Sequence, residues 1–190
     1  MSTPVVLPPS KLAHIVFKTN QMDRMKQFYC NFLGGRVVHA NDFIAFITYD
    51  DEHHRIALVQ FPNTTDKEHN SCGLLHVAFT FDSLKDLCMA YRQRKALGIR
   101  PGWYYQDPDG NQIEAQVDNY DNPDDATAFM DSEMFARNAF GADFDPEELC
   151  AALDRGESEA ELKVLKDVGP RGLEEGPKIE AMMRTATVGV

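Results

Sequence analysis

The segments Leu12-Ala13-His14-Ile15-Val16-Phe17 and Leu74-Leu75-His76-Val77-Ala78-Phe79 superimpose at an offset of 62 residues. A short apolar run rich in β-formers, met twice, restricts the chain to a fold built from one unit made twice. Each run reads as a buried strand. A helical pattern follows each. Met22, Met25, Phe28, Tyr29, Phe32 and Leu33 recur at helical spacing and stop at Gly34-Gly35. Leu84, Leu87, Cys88, Tyr91 and Leu97 do the same and stop at Gly98. Asn20 and Asp82 occupy the expected N-cap positions and the glycines the C-caps. Strands are predicted over 36–39, 43–49 and 55–61 in the first half, and over 103–106 and 112–117 in the second. Asp107-Pro108-Asp109-Gly110-Asn111 joins the last two, with Gly110 and Asn111 supplying left-handed positions. The plan is an α+β fold of paired β-α-β-β-β modules, about 11–62 and 73–120, forming a curved mixed sheet.

Charge marks where this domain ends. The chain of 190 residues carries a formal net charge of -11. Between Asp118 and Glu161 there are 14 acids against two bases, so that segment holds essentially all of it. Residues 121–190 are therefore expected to be an acidic helical extension and tail, and residues 1–10 an N-terminal arm. Asn122-Pro123 and Asp145-Pro146 each open a capped helix, the second with Glu148 closing a capping box. From Val168 onward, Gly169, Pro170, Gly172, Gly176 and Pro177 predict a loose tail. The extension reads either as a solvated arm or as a lid or dimer arm over a site. So acidic a surface repels phosphate backbones and anionic lipid, which argues against nucleic-acid and membrane partners. No apolar run is long enough to span a bilayer, and MSTPVVLPPSK lacks the pattern of a secretory signal. Cys30, Cys72, Cys88 and Cys150 form no CxxC pair and read as reduced thiols of a cytoplasmic protein.

His14 and His76 hold the same place in the two repeats. A single histidine in an apolar strand is ordinarily a core residue; two at matched positions point to a metal. In Gln112-Ile113-Glu114-Ala115-Gln116-Val117, apolar and polar residues alternate, which sets Glu114 on the face away from Ile113 and Ala115. Two imidazoles and a carboxylate make a facial triad with open coordination positions, as non-haem Fe(II) oxygen chemistry requires. The same donors accept Mn(II), Co(II), Ni(II) or Zn(II). Overlaying Arg55-Ile56-Ala57 on Gln112-Ile113-Glu114 puts Ala57 opposite Glu114.

The stretch from Tyr104 to Glu114, a tyrosine, a D-P-x-G turn and a glutamate, resembles the signature of extradiol ring-cleaving dioxygenases. With the paired modules, it makes residues 11–120 similar to the vicinal oxygen chelate superfamily of glyoxalases, bleomycin-resistance proteins and dioxygenases. Phe144-Asp145-Pro146-Glu147-Glu148-Leu149 resembles the extension of relatives with a single module pair. The resemblance implies that His14, His76 and Glu114 are metal ligands. His53-His54-Arg55-Ile56-Ala57-Leu58 resembles the family strand whose second histidine is the active-site acid/base, which implies that role for His54. Tyr104 matches the tyrosine that contacts the substrate hydroxyl. One departure stands out: only five residues separate Gly98 from Tyr104, where related sequences carry a longer connection with a strand and often another histidine.

The implied activity is cleavage of a catechol-like aromatic vicinal diol by O2 on Fe(II), in a homodimer. The competing readings are a glyoxalase-type isomerase or lyase, which would usually place a fourth ligand where Ala57 stands, and a non-catalytic binder of aromatic ligands. Phe43, Phe46, Phe61, Trp103 and Tyr105 are candidates for an aromatic pocket or for ordinary core. His39 and His69 read as surface residues.

Overall fold

The computed structural model describes residues 6–68, 71–101 and 104–172. The chain divides into two compact units, Met1–Asn70 and Ser71–Val190, and the division falls in the linker between the repeats. The first unit runs β1 (Ile15–Lys18), α1 (Met22–Leu33), β2 (Arg36–Ala40), β3 (Ile44–Thr48) and β4 (Ile56–Val59). Its sheet has the order β1-β4-β3-β2, with β1 parallel to β4 and the other pairs antiparallel. The helical spacing of Met25, Phe28, Tyr29 and Phe32 gives α1 one buried face. There Tyr29 stacks on Phe17 of β1 at 5.3 Å. Ile47, Ile56 and Leu58 meet this face fully buried, each burial worth about 1.5–3 kcal/mol. α1 ends at Gly34 in the left-handed region, φ 63°. At Gly35 a Cβ would lie 2.8 Å from the Thr48 carbonyl oxygen, so the glycine pair lets the chain turn tightly onto β3.

The opening strands start later than predicted. His14 lies one residue before β1 and is exposed, as is Leu12. The reason is Arg55, whose guanidinium takes the carbonyls of Leu12 and Ala13 at 2.9 and 3.0 Å in place of a strand ladder. The caps are also shifted by one residue. The N-cap of α1 is Gln21, whose N–H donates to Thr19 Oγ1 at 2.9 Å, while the Asn20 amide goes to Asp66.

In the second unit the order is β5 (His76–Thr80), α2 (Leu84–Ala96), β6 (Tyr105–Gln106) and β7 (Gln112–Gln116). Ser83, not Asp82, caps α2 by accepting from the Asp86 N–H. Leu74 and Leu75 lie before β5 and are exposed. Among the described residues this sheet has three strands, β5-β7-β6, one fewer than the predicted module, with the two-residue β6 at its edge. Of the short connection after Gly98, only residues 99–101 are described, and they form no further strand of this sheet. The β6–β7 turn is organised by buried Asp107, whose carboxylate accepts from the N–H groups of Asp109 and Asn111 and from the Asn111 amide. Gly110 is left-handed at φ 81°, but Asn111 is not: its side chain is spent on Asp107 and its carbonyl accepts the Asp107 N–H.

The extension folds as α3 (Pro123–Met130), α4 (Glu133–Arg137), α5 (Pro146–Asp154) and α6 (Glu159–Leu162). Asn122 and Asp145 cap α3 and α5 as predicted. The capping box, however, belongs to Ser158 and Glu161 on α6. α5 is no solvated arm. Its Cys150 packs with Cys88 and Tyr91 of α2, flanked by Leu149 and Leu153, and its Glu147 accepts from the Tyr91 hydroxyl and pairs with Lys95. Glu159 accepts the N–H groups of Leu84 and Lys85, completing the start of α2. The beginning of the tail is pinned too: Arg171 pairs with Asp143 through two bonds of 2.9 and 2.8 Å. Gly176, Pro177, His69 and Trp103 lie outside the described residues. All four cysteines are free. Among the described residues no helix is long and apolar enough to cross a membrane.

Candidate active site

In the first unit the predicted residues gather around His54. It is 7% exposed and lies at the end of the loop joining β3 to β4. That loop is held by Thr48 Oγ1 donating to the Glu52 carbonyl at 2.6 Å and by Arg55 Nε donating to Asp50 at 2.9 Å. The His54 ring meets His14 at 4.4 Å, Phe46 at 4.5 Å and His53, edge-on, at 4.4 Å. Burial, followed by the charges on His14 and His53, holds His54 below the ordinary imidazole value. A buried ring so depressed is uncharged at neutral pH and able to accept a proton. Glu52 beside it is held down to about 2 by Lys11 and His53.

In the second unit His76 and Glu114 project from the parallel pair β5 and β7, where Ala78 is the register partner of Glu114. His76 Nε2 lies 3.2 Å from Glu114 Oε2, and both side chains are about one-third exposed. Tyr104 stacks on His76 at 5.0 Å. Burial, then the charge of Glu114, raises the Tyr104 phenol, which keeps it an O–H donor. His76 Nδ1 is buried and has no hydrogen-bond partner among the described residues.

The registers of the two units match. Val16 faces Ala57 across β1 and β4 as Ala78 faces Glu114 across β5 and β7. Ala57 therefore occupies the position in the first repeat that Glu114 occupies in the second, as the sequence overlay predicts.

The pair His76–Glu114 fits a divalent metal. Two ligand atoms, each ~2.1 Å from an ion and at roughly right angles, stand ~3 Å apart, close to the observed 3.2 Å. Imidazole with carboxylate is a donor set such ions accept. Among the described residues, no three or more His, Cys, Asp or Glu side chains stand together as a group able to hold a metal ion. His14 is instead grouped with His54.

A cavity of about 350 Å³ opens in the second unit, with Tyr104, Tyr105, Glu114, Phe140, Phe144 and Leu149 in its lining. Of the aromatics expected to form a pocket, Tyr105 lines it. Phe46 packs on His54 instead, and Phe43 and Phe61 are more than half exposed. Phe140 and the α2 residues Leu87 and Tyr91 were not legible as pocket residues. The available signal was Ala139-Phe140-Gly141-Ala142-Asp143-Phe144, an apolar run with two rings placed just before a capped helix in an otherwise acidic segment.

The family model of the glyoxalase/bleomycin resistance protein/dioxygenase superfamily matches residues 11–115. The chain is 40% identical over 157 residues to "Biphenyl-2,3-diol 1,2-dioxygenase 2" of Rhodococcus globerulus, covering 77% of this chain and 83% of that one. It is 39% identical over 164 residues to "Biphenyl-2,3-diol 1,2-dioxygenase 3" of the same organism, covering 80% and 86%. A match to "Catechol-2,3-dioxygenase" of Bacillus subtilis, 32% identical over 107 residues, covers 51% of this chain and 38% of the relative. With its module repeat, mixed sheets and D-P-x-G turn before Glu114, the chain belongs to the glyoxalase/bleomycin resistance protein/dioxygenase superfamily.

Proposed function

We propose that the protein is an extradiol-type dioxygenase that cleaves a catechol-like aromatic vicinal diol with O2 and depends on a divalent metal, Fe(II) foremost. The observation that carries this reading is the His76–Glu114 pair beside Tyr104. Support comes from the identity of about 40% to two relatives named as biphenyl-2,3-diol 1,2-dioxygenases.

His14, His76 and Glu114 are the proposed metal ligands. Fe(II), when bound, supplies a chelation point for both diol oxygens and a route for electrons to O2 that zinc does not. His54, uncharged in its buried place, accepts at a ring nitrogen the proton leaving a diol hydroxyl, and returns it as the ring opens to a semialdehyde acid. Tyr104 donates its phenolic O–H to a substrate oxygen and orients the diol. Ala57 supports this reading over an isomerase or lyase, because it leaves the first repeat without a donor at the position of Glu114. A cytoplasmic homodimer is part of the proposal.

The test is metal analysis of anaerobically purified protein together with oxygen uptake. We expect one equivalent of Fe(II), and a yellow semialdehyde formed from a catechol with one O2 consumed. Absence of iron from the wild type, or equal iron in Glu114→Ala, would sink the ligand assignment.

A further inference from the structure

His76 and Gln112 are register partners on the parallel strands β5 and β7. Register partners project to the same side of a sheet, and side chains two apart along a strand share a face. Gln112 therefore stands beside His76 on the face of β7 that carries Glu114. It is 9% exposed, while its neighbour Ile113, on the opposite face, is fully buried in the core.

On the face with Glu114, His76 Nδ1 and Gln112 Oε1 are both buried without a hydrogen-bond partner among the described residues. Buried polar groups of native proteins are nearly always paired, so two such atoms on register partners need a reason. The tautomer of the ring supplies one. His76 Nε2 lies 3.2 Å from Glu114 Oε2, a distance at which the ring N–H donates to the carboxylate. An uncharged imidazole has a single N–H, so Nδ1 is then a bare acceptor. The Gln112 amide oxygen is an acceptor too, and two acceptors do not bond. Gln106, the partner of Gln112 on β6, is directed elsewhere: its amide donates to the Gly110 carbonyl at 3.4 Å.

The same two atoms become complementary once Nε2 is a ligand. A ring nitrogen bound to a metal carries no hydrogen, so the hydrogen of the ring resides on Nδ1. Neighbouring strands run ~4.8 Å apart, a gap that a glutamine side chain spans, and rotation of its amide brings Oε1 onto the Nδ1–H. Tyr104, stacked on the ring at 5.0 Å, restrains the imidazole, which leaves the glutamine as the partner that moves.

We propose that Gln112 is a positioning residue of the metal site: its Oε1 accepts the Nδ1–H of His76 when Nε2 holds the ion, which fixes the tautomer and the direction of the ligand ring. The inference rests on the reading of His76 and Glu114 as metal ligands.

The experiment uses the full chain with isotope-labelled histidine and Zn(II), which is diamagnetic. Affinity is measured by competition with a chelator. The His76 ring is followed by NMR, its signals assigned by their loss in His76→Phe. In wild type, Zn(II) should bring out an Nδ1–H of His76 that exchanges slowly with water and shows a nuclear Overhauser contact to the Gln112 side-chain amide. Gln112→Leu removes the acceptor; it should lose the protected proton and bind Zn(II) roughly 10–100-fold more weakly. Gln112→Glu restores an acceptor at the same reach and should recover both. Thermal melts establish that the variants are folded, and the wild-type signal decides the matter where one is not. A wild type that binds Zn(II) through His76 with a freely exchanging Nδ1–H overturns the inference and leaves the ligand reading standing. So does a folded Gln112→Leu that keeps the protected proton and the wild-type affinity. A wild type whose His76 signals do not respond to Zn(II) removes the ligand reading, and this inference with it.

Discussion

Arg55 holds the carbonyl of Ala13, the residue before His14, through a 3.0 Å hydrogen bond that spans 42 positions of sequence. Its second bond, to Leu12, and its Nε bond to Asp50 fix the guanidinium plane. The approach to His14 is thus set by a planar fork, and an ammonium group cannot reproduce that fork. With His14 as a proposed metal ligand, Arg55→Lys is expected to lower Fe(II) affinity by roughly 10–100-fold, the usual effect of losing a residue that orients a ligand. Metal titration monitored alongside the His14 ring signals in NMR checks this. Unchanged affinity together with unmoved signals counts against the positioning role.

His54 touches three rings and is kept uncharged by burial and by its histidine neighbours. His54→Phe keeps the stacked packing but removes the proposed proton acceptor. Iron content should stay at the wild-type level while ring opening slows by ~10²–10⁴-fold. Single-turnover absorbance at the semialdehyde band measures it, and wild-type turnover in the variant would remove His54 from the chemistry.

Docking of α5 on α2 should weaken in acid. The bond from Lys95, and after it the bond from Tyr91, holds the Glu147 carboxyl below its ordinary value. A carboxyl depressed in the folded state contributes stability that is fully present above its unfolded value of about 4.3. That contribution is lost as pH falls through the lower folded value. Thermal melts between neutral pH and pH 3 should show a steeper acid loss for wild type than for Glu147→Gln. Parallel pH profiles would mean that the carboxylate adds nothing to the contact.

Gly35 sits against the Thr48 carbonyl, with 2.8 Å available where a methyl carbon would stand. Gly35→Ala must push α1 and β3 apart, at a cost of about 1–3 kcal/mol. Chemical denaturation reads this directly, and a midpoint equal to wild type would show that the turn relaxes without strain.

Much of this was legible in the chain itself, because local rules decided it. The face of α1 carrying Met25, Tyr29 and Phe32 follows from 3.6-residue periodicity, and its stop follows from the left-handed Gly34. The equivalence of Ala57 and Glu114 was readable because a repeat preserves register. The start of β1 was not legible, since an apolar run does not reveal that the distant Arg55 guanidinium will claim the carbonyls of Leu12 and Ala13. The caps of α1 and α2 fall one residue later than predicted: the Asn20 amide is bonded to the distant Asp66, and Ser83 rather than Asp82 accepts the Asp86 N–H.

By itself the sequence determined the repeated module, the helices with their stops, the turn before Glu114 and the family to which they belong. These depend on residues near one another in the chain or on a pattern recurring at fixed spacing. Only the tertiary structure decided that His54 is buried among three rings, that His76 and Glu114 stand side by side, and that the acidic extension walls an aromatic cavity beside β6. Each of those depends on contacts between residues far apart in sequence, set by how helices and strands pack, and local composition carries no record of such contacts.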